Sequence, residues 1–159
     1  MHYLIIAGLL ILTFTAVTDL MATETSNPFE DEHAAEIYNK YQDSIFQIRV
    51  IDQASNNKTS IGSGFLIDDA GNIATNYHVI SSKVQEPNRY RLEVVLKNGE
   101  SGGDLEIVDI DVVHDLAIVR GKAINATPFI FSDRALAKGA HLYSLGDPHD
   151  LGMSIIEGT

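Results

Sequence analysis

Two residues in this sequence have the chemistry to cooperate in proton transfer. One is His78, in NIATNYHVISS (residues 72–82); the other is Asp115, in DIDVVHDLAIVR (residues 109–120). His78 follows a short apolar run, Ile73-Ala74, and precedes Val79-Ile80, so a titratable imidazole stands where a strand ends. By itself such a histidine reads as a core residue with a hydrogen-bond partner. Asp115 opens a second apolar run, Leu116 to Val119, which places its carboxylate at a strand end near a core. An unpaired charge there costs on the order of several kcal/mol, and a histidine N–H is a natural partner. A carboxylate that fixes one imidazole tautomer and stabilises the imidazolium is the supporting half of a nucleophile–histidine–carboxylate triad, with the histidine as general base.

Other chemistries are less well supplied. The sequence has no cysteine, which excludes disulfides, thiolate metal sites and cysteine nucleophiles. His141, Asp147 and His149 are close in sequence and His114 adjoins Asp115, but no pair has the helical i,i+4 spacing of a zinc site. They read as solvent-exposed histidines, with no metal and no cofactor. The 159 residues carry a formal charge of −11, with no Lys/Arg cluster to neutralise phosphates, so a nucleic-acid or anionic-membrane partner is disfavoured. A hydrophobic fraction of 45% and a mean hydropathy of +0.01 fit one globular domain with a real core.

The elements that must hold His78 and Asp115 are mostly short strands. Ala34, Ile37, Tyr38, Tyr41 and Ile45 recur at spacings of three and four and predict a short amphipathic helix, with Tyr38 and Tyr41 as aromatics capping the core. From Ile45 the period becomes two. Phe46, Ile48 and Val50 alternate with Gln47, Arg49 and Ile51. ASNNKTS (54–60) predicts a loop, and Asp69-Ala70-Gly71-Asn72 a tight connection between two strands. SSKVQEPN (81–88) predicts a polar loop after His78, with no second helix of useful length. Asn98-Gly99 is the strongest hairpin signal, and further β runs are expected at DLAIVRG, TPFIFS and AHLYSLG. Turns every eight to twelve residues indicate an antiparallel barrel or sandwich. Phe65, Ile67, Leu116 and Ile118 are expected in its core.

The first residues stand apart. LIIAGLLILTFTAV (4–17) is apolar, short for a membrane span and suited to a secretory signal, with a cut expected after Ala22; a retained N-terminal anchor is the alternative. Either way the remainder is exported, and export without cysteine suits the periplasm or envelope of a bacterium. Residues 23–33 read as a polar linker.

Three blocks together resemble the HtrA/Deg branch of the trypsin-like (chymotrypsin-fold) serine proteases. GSGFLIDDAGNIATNYHVI (62–80) is similar to its histidine region, which reads G-S-G-F, a hydrophobic pair, an acidic-Gly turn, then T-N-x-H-V. DVVHDLAIV (111–119) is similar to its D-x-x-x-D-L-A block, with Asp111 and Asp115 in the acidic places. YSLGDPHDLGMSIIEGT (143–159) is similar to G-N-P-x-G-L-G-x-S-V-T-x-G, where the family's chain crosses between barrels; Asp147 here replaces Asn and Asp150 replaces Gly.

The resemblance implies an all-β fold, the first antiparallel barrel of a double-barrel protease. The barrel with its N-terminal helix would occupy 34–139, and the crossing segment with the start of a second barrel 140–159. It implies His78 as general base and Asp115 as its orienting carboxylate, polypeptide substrates, no cofactor, and an N-terminal segment that is a candidate trimer contact. The family's nucleophilic serine lies in a G-x-S-G-G loop several tens of residues after the crossing strand, so it is expected beyond Thr159 and the 159 residues alone are expected to be inactive. Ser63 precedes the histidine, contrary to the order His, Asp, Ser, and Ser154 lacks flanking glycines. The alternative is a protease-like module that binds peptides without cutting them.

Overall fold

The structure is a computed structural model that describes residues 32–96, 99–122, 124, 126–146 and 153–159. The expected signal or anchor at 1–22 and most of the linker lie outside these residues. Helix α1 (Glu32–Tyr41) begins within the stretch expected as linker, with Glu32 in its first turn and Lys40 in its last, the charge order that suits the helix dipole. Its half-buried stripe is Ala34, Ile37, Tyr38 and Tyr41. Tyr41 stacks on Phe129, ring centroids 4.4 Å apart. A 3₁₀ turn (Gln42–Ser44) leads into the sheet, and the Ser44 hydroxyl donates to the Thr127 carbonyl.

Six strands close an antiparallel barrel. They are β1 (Ile45–Asp52), β2 (Asn57–Leu66), β3 (Asn72–Thr75), β4 (Tyr90–Val95), β5 (Ser101–Asp111) and β6 (Leu116–Gly121), in the order β1-β2-β3-β6-β5-β4. Closure removes the open edges that an isolated sheet would present. The interior is filled by branched side chains, among them Ile48, Val50, Leu66, Ile73, Val94 and Val119. Burying each contributes about 1.5–3 kcal/mol. The filling is dense enough to demand glycine at 64, where a Cβ would lie 2.6 Å from Ile73 Cγ2 and 2.8 Å from Ile48 Cδ1. Strands β7 (Leu142–Gly146) and β8 (Ser154–Gly158) form a separate antiparallel pair.

Four expectations need correction. Strand β2 starts at Asn57, inside the segment expected as a loop; the turn is shorter. There the Asp52 carboxylate accepts the N–H groups of Ala54 and Ser55 at 3.0 and 3.1 Å, and Asn56 takes the left-handed conformation (φ 55°). Second, Tyr77–Gln85 is a helix, α2, where a polar loop was expected. Its apolar stripe is only Val79, Ile80 and Val84, too short to register as periodicity, but it packs against the mouth of the barrel. Gly62 admits it: a Cβ there would lie 2.4 Å from Val79 Cγ2.

Third, TPFIFS forms no strand. It runs outside the barrel, with the Phe129 N–H donating to Leu66 O at 2.9 Å and the Phe129 ring edge-on to Phe65. Fourth, Phe65, Ile67, Leu116 and Ile118 are not core residues. Their neighbours Leu66, Ala117 and Val119 face the interior, and Leu116 is 53% exposed. Alternation requires the two sets to face opposite ways without saying which is inside, and here both sets are apolar.

Candidate functional site

The first turn of α2, which follows β3 directly, carries His78, and the turn between β5 and β6 carries Asp115. Thr75 of β3 pairs with Ala117 of β6, so the segments just beyond these partners must lie side by side. The result is a direct contact: His78 Nδ1 lies 2.7 Å from Asp115 Oδ2. A carboxylate only accepts, so the hydrogen is on Nδ1 and Nε2 of the neutral ring is left with a lone pair. Among the described residues Nε2 has no partner.

Asp115 is held from several sides. Its Oδ1 accepts the main-chain N–H of His78 at 2.8 Å, its main-chain carbonyl accepts from Tyr77 N–H at 3.2 Å, and the Asn76 amide donates to that carbonyl at 3.0 Å and to Oδ2 at 3.3 Å. The residue adopts φ 56°, a left-handed conformation that Asp tolerates better than most. The hydrogen bond from the His78 ring, then that from its N–H, hold the Asp115 carboxyl below the ordinary carboxylate range. The expected burial is not seen. Within these 159 residues the side chains of His78 and Asp115 are 70% and 44% exposed, and hydrogen bonds order the pair.

Beside the pair runs a groove of about 440 Å³ between the outer wall of the barrel and β7, lined among others by Asn76, Leu116, Phe65, Phe129 and Tyr143. The outward phase of Phe65 and Leu116 supplies its apolar wall.

Two other histidines of the described residues, His114 and His141, pair with carboxylates of their own. His114 Nδ1 lies 2.7 Å from Asp111 Oδ2 and its N–H donates to Asp111 Oδ1 at 3.0 Å, which staples the turn that presents Asp115. Asp111 is likewise held below the usual range, first by the His114 N–H and then by its ring. His141 Nδ1 is 2.7 Å from Glu157 Oε1 across β7 and β8. Asp147, His149 and Asp150 lie outside the described residues. Ser63 lines the groove on β2, and Ser154 Oγ donates to Gly146 O.

Sequence reasoning missed two features. Asn76 is one: it holds the N place of the T-N-x-H-V pattern, but the pattern alone gave it no role. The other is Gly99-Glu100-Ser101-Gly102-Gly103, which spells G-x-S-G-G. It belongs to the hairpin between β4 and β5: Gly99 and Gly103 have φ 82° and 104°, and Ser101 Oγ accepts the Gly103 N–H at 3.3 Å. Ser101 begins the 11-residue strand whose far end leads to Asp115. At about 3.3 Å per residue that separation is roughly 30 Å, so Ser101 cannot serve His78.

Residues 62–159 match the family model for the trypsin-like peptidase domain. The chain belongs to this family. Among relatives of the trypsin-like peptidases, human (Homo sapiens) serine protease HTRA3 is 35% identical over 101 residues, which cover 62% of this chain and 22% of that protein. Serine protease HTRA1A of Danio rerio is 34% identical over 99 residues, 61% of this chain and 19% of that protein. The chain therefore spans about a fifth of the length of the curated relatives it matches.

Solved structures agree on the fold. The crystal structure of Deg5 superposes with a TM-score of 0.69 at 25% identity, over 82% of this chain and 64% of that one. The serine endoprotease from Yersinia pestis gives 0.63 at 23% identity, over 79% and 43%. The mostly β architecture with a closed six-strand antiparallel barrel is thus that of an HtrA-like, trypsin-fold chain.

Proposed function

We propose that this chain is the first barrel of an exported serine endopeptidase, in which His78 is the general base and Asp115 orients it. The observation that carries the reading is the contact between His78 Nδ1 and Asp115 Oδ2 at 2.7 Å, beside an open groove. With its proton on Nδ1, the ring offers Nε2 to the hydroxyl of a serine supplied by polypeptide beyond Thr159. As that oxygen attacks a peptide carbonyl, Nε2 takes the hydroxyl proton, and Asp115 stabilises the imidazolium that forms. The same proton then passes to the leaving amine, and water repeats the sequence to release the acyl group. No cofactor takes part.

The substrates proposed are exported or misfolded polypeptides, cut in the periplasm or envelope after residues 1–22 have been removed. Residues 140–159 would begin the second barrel, and the N-terminal segment would contribute to a trimer.

Casein hydrolysis by the full gene product tests this. His78→Ala is expected to lower kcat by several orders of magnitude, and Asp115→Asn by about 10⁴ through the wrong tautomer. Ser101→Ala is expected to change nothing. Undiminished cleavage by His78→Ala would overturn the reading in favour of a barrel that binds peptides without cutting them.

A further inference from the structure

Asn76 occupies the N-cap of α2 but does not cap it. Its backbone is extended there (φ −86°, ψ 144°), and its side chain makes no hydrogen bond to the helix. An asparagine in this place ordinarily turns its oxygen to the second or third N–H of the helix. Here the second N–H, that of His78, goes to Asp115 Oδ1 at 2.8 Å, and the first, that of Tyr77, goes to the Asp115 carbonyl at 3.2 Å. The third, that of Val79, goes to the Asn76 main-chain carbonyl at 3.2 Å, so Asp115, distant in sequence, takes the place of the Asn76 side chain at the cap.

The Asn76 side chain is turned round. Both atoms it meets, Asp115 O at 3.0 Å and Oδ2 at 3.3 Å, are acceptors, so the amide presents Nδ2 as donor. Oδ2 is the oxygen that faces His78 Nδ1. The carbonyl it also grips belongs to a residue in the left-handed conformation, φ 56°, so one amide holds both the backbone and the carboxylate.

We infer that Asn76 is a positioning residue for the His78–Asp115 pair, acting as a hydrogen-bond donor that aims the Asp115 carboxylate and so selects the Nδ1–H tautomer of His78. The side-chain type follows. Asp, Ser and Thr are all good N-caps, but Asp has no donor and would repel Asp115, and the shorter hydroxyl residues do not carry an amide across to it. The inference rests on the proposed role of the pair, but its test does not require catalysis.

The 159-residue chain, labelled with ¹⁵N at histidine, is observed by long-range ¹H–¹⁵N correlation near pH 8, above the general histidine reference value of about 6.5. In the unmodified chain His78 is expected as the Nδ1–H tautomer. Asn76→Asp keeps the capping oxygen and Asn76→Gly keeps a tolerated cap, so both are expected to fold. Both are expected to move His78 toward the Nε2–H form, as Asp115→Asn does, while His114 and His141 stay where they were. Unchanged His78 signals in folded Asn76→Asp and Asn76→Gly would overturn the inference. So would an equal shift of all three histidines, which would report a general loosening of the fold. A failure of the protease reading would appear only in casein hydrolysis and would leave these signals as they are.

Discussion

At the scale of single residues, Asp115 carries three duties: it faces His78 Nδ1, caps α2 and holds a left-handed turn. The first two favour its charged form, and the His78 ring contributes most to keeping its carboxyl below the usual range. A carboxyl whose folded value is depressed adds stability that is present above its unfolded value, about 3.9, and is lost as pH falls through the folded value. The ¹³C signal of the Asp115 carboxyl should therefore titrate below the ordinary aspartate midpoint, and His78→Ala should raise that midpoint. A midpoint at the ordinary value in the unmodified chain would mean that the pair does not form in solution. Asp115→Asn is the cleanest probe of the pair, because asparagine shares the tolerance of aspartate for positive φ. Its effect is on charge and tautomer, with the turn preserved.

At the scale of elements, the site depends on two short turns fixed by the barrel pairs beneath them. The β3–β6 pairing sets how far apart the His78 and Asp115 segments lie, and the Asp111–His114 staple shapes the turn that presents Asp115. Phase along the strands decides which apolar side chains stabilise the barrel and which line the groove. Leu66, 1% exposed, and Leu116, 53% exposed, belong to the opposite sets. Leu66→Ala is expected to cost about 2–5 kcal/mol, by transfer and by the cavity left behind. Leu116→Ala is expected to stay within about 0.5 kcal/mol. Urea denaturation of the two variants checks this, and equal costs would mean the interior has been assigned to the wrong face.

At the scale of the whole molecule, an apolar outer wall and a large negative charge oppose each other. Phe131, Ile130 and Leu116 are exposed, and the strand pair β7–β8 is outside the barrel's closed circuit. Such a surface favours association, and a formal charge of −11 resists it. Salt screens the charge, with a Debye length of about 10 Å at 0.1 M, and leaves the apolar term in place. Light scattering by the 159-residue chain should accordingly rise as salt is raised, and the double change Leu116→Gln with Phe131→Gln should suppress the rise. Scattering that is independent of salt would show that charge is not what keeps the chain dispersed.

Much of this was legible in order along the chain. Period-two runs and turn residues such as Gly71 and Gly99 indicate an antiparallel barrel, because they depend on neighbours two to four residues apart. The placement of His78 and Asp115 at strand ends is local in the same sense, and so is the motif resemblance. What the sequence could not decide depends on pairs far apart in it. Which face of β2 and β6 is interior follows from barrel closure. That Tyr77–Gln85 is a helix follows from Val79 and Ile80 finding the barrel mouth, since three apolar residues are too few to impose a period. That the G-x-S-G-G pattern at Gly99–Gly103 is only a hairpin turn follows from the length of β5, and that Asn76 serves Asp115 instead of its own helix follows from the β3–β6 pairing. Composition and periodicity chose the architecture; tertiary packing chose the partners, because a hydrogen bond between residues 37 apart exists only once the strands between them have closed.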